Sequence, residues 1–132
     1  MEGDKSVKVF VGVIILFLLF SGLGWYSEVL ISKQAGEILT ELENLASYVK
    51  KSKSLEIEKQ LNIINKLWLK SRKVWVLLID HQDLDEFEIY LARTKSYLEN
   101  KAIVLALGGI AEMKQTINRI PDQLRLNLEN IF

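Results

Sequence analysis

Residues Val9–Ser27, VFVGVIILFLLFSGLGWYS, run for nineteen positions without an ionisable group stronger than a tyrosine hydroxyl. A helix of that length reaches about 28 Å at ~1.5 Å per residue, close to the ~30 Å hydrocarbon thickness of a bilayer. Lipid offers the backbone no hydrogen bonds, so such a segment must be helical to satisfy its own amides. Trp25 and Tyr26 stand at its far end, where amphipathic rings favour the headgroup layer, and Lys5 and Lys8 flank its near end. The expected organisation is a cytoplasmic flank at 1–8, a transmembrane anchor at 9–27 and an extracytoplasmic helical domain at 28–132.

Orientation follows from cations. Lys5, Lys8 and the amino terminus precede the span, whereas Lys33 is the lone cation between Glu28 and Ser47. Acidic residues weigh little in this rule, so the amino terminus is expected in the cytoplasm of a single-pass protein of the cell membrane. A cleaved signal peptide, with Gly22 and Gly24 before the cut, is a competing reading. The apolar run is longer than the ~7–15 residues of a usual signal core, and a helical pattern continues past it. A buried core helix is disfavoured because the run is apolar on all sides. Gly12, Gly22 and Gly24 do not form a four-residue dimerisation spacing.

Beyond Trp25 the pattern is helical. Ile31, Ile38, Leu42, Leu45 and Val49 recur in steps of seven or of four and three, which places them on one stripe. Lys50, Lys51 and Lys53 then mark a helix end, where cations suit the dipole. Ser52 or Ser54 is a candidate cap for a second helix. Its stripe is Ile57, Leu61, Ile64, Trp68, Trp75 and Leu78, with Ser71 in the gap and Lys66, Lys70 and Arg72 pointing outward. Trp68 and Trp75 share a face; core packing is favoured over a ligand pocket, since each indole can bury about 150–250 Å².

A third helix carries Leu84, Phe87, Leu91, Thr94 and Leu98 inward, with Tyr90 and Tyr97 alongside. Asn100 is the expected break and the cap of a fourth helix, whose inward positions are Ile103, Leu107, Ile110, Ile117 and Ile120. Gly108 and Gly109 within it each cost about 1 kcal/mol relative to alanine, so either a neighbour packs closely there or the helix bends. Pro121 is expected to end this helix. The alternation of Leu124, Leu126 and Leu128 then predicts an extended tail across the bundle, with Ile131 and Phe132 packed. The fold class is therefore all-α: a transmembrane helix followed by an antiparallel bundle of about four amphipathic helices, neighbours being joined by short connections.

The chain balances 17 Lys+Arg against 17 Asp+Glu and has no cysteine. A neutral domain lacks the cationic contacts that hold a phosphate backbone, which argues against a nucleic-acid partner. Thiol nucleophiles, thiolate metal sites and disulfides are excluded outright.

The chemistry that remains gathers at LLIDHQDLDEF, Leu77–Phe87, around the lone His81. Asp80 and Asp83 are both good N-caps. If Asp83 caps, Glu86 completes a capping box; if Asp80 caps, Ile79 and Leu84 form a hydrophobic staple. Asp85, Glu86 and Glu88 suit the first turns of a helix. The sharper alternative is a metal or small-ligand site built from Asp80, His81 and Asp85, the last two being four apart on one helical face. Zinc usually takes three or four protein ligands, often two or more of them nitrogen or sulfur. The loop also lacks the glycine and acid spacing of an EF-hand. His81 is suited to proton transfer by its ordinary pKa, but no nucleophile stands in a recognisable motif. LGGI lies in an apolar helix rather than after a strand, so it is not a phosphate loop. No residue is assigned as catalytic, cofactor-binding or metal-ligating, and no cofactor is expected.

The apolar amino terminus, Trp68 and Trp75, IDH at Ile79–His81, Asp85, LAR at Leu91–Arg93 and the terminal LENIF together resemble domain of unknown function family 4363. That resemblance implies a small membrane-anchored helical protein of the kind typical of Firmicutes, with no assigned activity or catalytic residues. It also implies a multi-pass membrane protein as partner. Gln82 departs from the acid expected at that place, which weakens the metal reading. Three expectations follow: a membrane-anchored, non-enzymatic accessory or interaction module of the cell envelope; a ligand- or metal-binding sensor at Asp80, His81 and Asp85; or a secreted bundle freed from its leader. Homo-oligomeric state stays open.

Overall fold

The computed structural model describes the backbone of residues 2–131 and the side chains of residues 2–130. Among the described residues four helices follow one another: α1 (Glu2–Lys50), α2 (Ser54–Trp75), α3 (His81–Glu99) and α4 (Ile103–Ile131). No strand occurs among the described residues. The apolar segment and the first amphipathic stripe belong to one unbroken helix of 49 residues, roughly 73 Å long at ~1.5 Å per residue. Nothing breaks it between Trp25 and Ile31, because Ser27 to Leu30 hold no proline or glycine.

The stripe predicted on α1 is the buried one: Ile31, Ile38, Leu42, Leu45 and Val49 are all closed to solvent. They meet Ile64, Trp68 and Trp75 of α2, Leu84, Phe87 and Leu91 of α3, and Ala106, Ile110, Met113, Ile117 and Ile120 of α4 in one core. α1 packs on α2 and α4, and α4 packs on α3. Trp68 lies at the centre. It stacks on Phe87 with centroids 4.2 Å apart and meets Trp75 edge-on at 5.8 Å, two geometries favoured by the ring quadrupole.

Two helix ends share one device. Lys53 N–H donates to the Tyr48 carbonyl and Ser52 N–H to the Val49 carbonyl, while Ala102 and Lys101 repeat this with Tyr97 and Leu98. Ser52 and Lys101 occupy the left-handed position, at φ 54° and 56°. These are the paired bonds of a Schellman ending, normally completed by glycine.

The structure corrects several sequence expectations. Neither Ser52 nor Ser54 caps α2. Lys53 stands at the N-cap without a side-chain bond, because Ser52 is used to close α1. Asn100 ends α3, its side-chain amide donating to the Ser96 carbonyl, but it does not cap α4; the first carbonyl of α4 is that of Ala102. Pro121 does not end α4, which continues to Ile131. The tail is therefore helical, not extended: Ile120 and Leu124 are buried, Leu128 is half-buried and Leu126 is exposed, a four-residue period. Burial of this stripe against α1 outweighs the amide that proline removes. The expected packing of the Ile131 and Phe132 side chains lies outside the described residues.

Candidate functional site

α3 begins at the corner that holds the histidine. Asp80 is its N-cap, and one carboxylate oxygen accepts the Gln82 N–H at 3.0 Å. Ile79 and Leu84 are both buried, at the two positions of a hydrophobic staple. Of the two capping arrangements, the one built on Asp80 is present. Asp83 turns inward instead. Its carboxylate accepts the Gln123 side-chain amide and lies 3.9 Å from Arg119 Nη2.

Arg119 also donates to Glu86 Oε2 at 2.9 Å, so α3 and α4 are laced together by Asp83, Glu86, Arg119 and Gln123. Glu86 uses its other oxygen to accept the Tyr90 hydroxyl at 2.9 Å. That hydrogen bond, reinforced by desolvation and by the charges of Glu86 and Glu112, raises the Tyr90 pKa above its ordinary value; nearby Arg93 opposes the shift.

Both indoles are core groups with one polar contact each. Trp75 Nε1 donates to Gln34 Oε1 at 2.8 Å and Trp68 Nε1 to Glu88 Oε1 at 3.1 Å. Glu88 also lies 2.7 Å from Arg72 Nε, an ion pair in which the N–H is not aimed at the oxygen. Arg72 therefore faces α3 rather than solvent, unlike Lys66 and Lys70, which are exposed as expected. Gln34 and Gln60 are buried polar partners that the sequence reading passed over. Their signal was spacing: each stands three residues after an inward isoleucine, Ile31 and Ile57.

The proposed ligand trio is not drawn into a pocket. Asp80, His81 and Asp85 are all exposed, and Asp80 is engaged by the helix start. Among the described residues no group of three or more histidine, cysteine or acidic side chains is arranged to hold a metal. A cleft lies elsewhere, where the starts of α2 and α4 meet the end of α3. It encloses about 670 Å³ over Ile57, Leu61 and Leu98. Glu58 and Glu99 offset Lys95 and Lys101 on its rim, so it has no dominant charge. No titratable group and nucleophile are paired there.

A protein-family model described as a domain of unknown function, DUF4363, matches residues 25–131. The chain belongs to the DUF4363 family. In this DUF4363 protein the match takes in all three amphipathic helices after α1 and the bundled half of α1, and it begins at the aromatic pair that closes the apolar run. No curated protein and no solved structure matches the chain.

Proposed function

We propose that this DUF4363 protein is a membrane-anchored, non-enzymatic accessory or interaction module of the bacterial cell envelope. One observation carries the reading. The first half of α1 is long and apolar enough to cross a bilayer, and none of its most apolar window is covered by the rest of the chain. Exposing side chains such as Phe10, Phe17, Leu18 and Phe20 to water is costly, at ~25 cal/mol per Å² of apolar surface, and lipid removes that cost. An anchor is favoured over a cleaved leader because the same helix continues into the core at Ile31 without a turn. Lys5 and Lys8 support a cytoplasmic amino terminus and an extracytoplasmic domain.

The domain is an antiparallel up-and-down bundle in this proposal. Lys114 pairs with Glu43 and Arg125 with Glu28, so α4 runs back along α1. A neutral bundle without a chemical constellation fits a partner-binding role, and a multi-pass membrane protein is the proposed partner. The test is fractionation followed by crosslinking from intact membranes. Recovery of uncut chain in the carbonate-resistant membrane fraction, crosslinked to an integral membrane protein, is expected. Uncut chain in the aqueous fraction without detergent overturns the anchor, and crosslinks to itself alone overturn the partner.

A further inference from the structure

α1 passes from the apolar segment into the core without a break, so the bundle cannot swing freely on a linker. Its lower end is set by side-chain pairs. Arg125 Nε lies 2.6 Å from Glu28 Oε1, which puts Arg125 level with the first residue after the apolar run. On α3, Glu86 pairs with Arg119 and Asp83 with Gln123. Continuing that register brings the start of α3 to the level of Arg125. The 76–80 turn before α3 therefore faces the same plane as Glu28.

α4 does not stop at that plane. It runs six residues past Arg125 to Ile131, about 9 Å at ~1.5 Å per residue, alongside Trp25 and the end of the apolar run. The headgroup layer beyond the hydrocarbon is roughly 5–7 Å deep on each side, and this extension enters it beside Trp25 and Tyr26. Two leucines at this end are strongly exposed: Leu77, in the turn, at 80% and Leu126, on α4, at 60%. Both lie where water would be replaced by lipid.

We propose that the lower end of the bundle is a lipid-seating surface, with Leu77 and the last turns of α4 around Leu126 inserted into the phospholipid interface beside Trp25 and Tyr26. This rests on the anchor reading above. Interfacial insertion of exposed apolar side chains is favourable in proportion to the area buried, and two contacts away from the α1 axis hold the bundle upright on the bilayer. His81 then sits at headgroup height.

The absence of cysteine allows single labels to be placed cleanly. Four full-length variants, Phe17→Cys, Leu77→Cys, Leu126→Cys and Val104→Cys, each carry an environment-sensitive fluorophore. They are reconstituted into phosphatidylcholine–phosphatidylglycerol vesicles with or without lipid bearing a shallow nitroxide, after circular dichroism shows that each retains the native helicity. Val104 is as exposed as Leu77 but lies at the opposite end. Blue-shifted emission with nitroxide quenching at Phe17, Leu77 and Leu126, and neither at Val104, is expected. Quenching at Phe17 without quenching at Leu77 and Leu126 overturns the seating and leaves the anchor intact. Quenching at Val104 equal to that at Leu77 overturns it too, because the bundle then lies flat. No quenching at Phe17 overturns the anchor and the seating together.

Discussion

Gly108 and Gly109 are neighbours in sequence and opposites in setting. A Cβ at Gly108 would meet nothing, whereas one at Gly109 would collide with Thr94 Oγ1 of α3. Of the two explanations for a mid-helix glycine, close approach of a neighbour applies at Gly109. Gly108→Ala is therefore expected to stabilise the fold by about 0.5–1 kcal/mol through helix propensity alone. Gly109→Ala is expected to destabilise it by about 1–3 kcal/mol through overpacking, and Thr94→Ala in the same chain should restore part of the loss. The Thr94 hydroxyl is buried without a hydrogen-bond partner, so its removal breaks no bond. Chemical denaturation of the three variants separates the effects, and equal shifts for the two glycines would refute the close approach. Tyr90 gives a pH signature at the same scale. Its pKa in the fold lies above the ordinary tyrosine value of about 10, so the fold binds this proton more tightly than the unfolded chain does. The resulting stability is complete below about pH 10 and is lost as pH rises through the raised value. Tyr90→Phe should remove that part of the alkaline decline. Absorbance titration should show one of the four tyrosines ionising late in the native protein and not in Tyr90→Phe.

Among the elements, the helix endings show where local chemistry is hidden from sequence reading. Glycine normally marks a Schellman ending because the left-handed conformation costs an L-residue about 1–2 kcal/mol. Here Ser52 and Lys101 take that position, so the usual punctuation is missing although the hydrogen bonds are complete. Lys101→Gly is expected to raise stability by about 0.5–1 kcal/mol, measured as an increased denaturation midpoint with an unchanged slope; a decrease would mean that the lysine side chain contributes more than its backbone strain costs. Pro121 misleads in the other direction. Proline in a helix interior costs roughly 3 kcal/mol, yet α4 runs through it because Ile120 and Leu124 bury beside it. The Asp80 corner was readable to the extent of two capping schemes. The choice between them was made by Gln123 and Arg119, forty and thirty-six positions further along the chain, which draw Asp83 inward.

The molecule as a whole divides into a half of α1 that touches little of the chain and a core that involves all four helices. A fragment of residues 28–132 keeps every buried core side chain. It is expected to be soluble without detergent, helical and cooperative in thermal unfolding, while the full chain requires detergent or lipid. Aggregation of the fragment, or a non-cooperative melt, would show that the apolar half of α1 also supports the core.

Sequence alone determined the apolar span, the helical class, the α1 stripe and the membership of Trp68 and Trp75 in the core, because each depends on periodicity or composition within one stretch of chain. The tertiary structure decided the helical course past Pro121, the inward turn of Asp83, the pairing of Trp75 with Gln34 and the closeness of α3 to Gly109. Those depend on which distant side chains arrive opposite one another, and the free energy of burial between helices is large enough to override a local preference of about 1–3 kcal/mol.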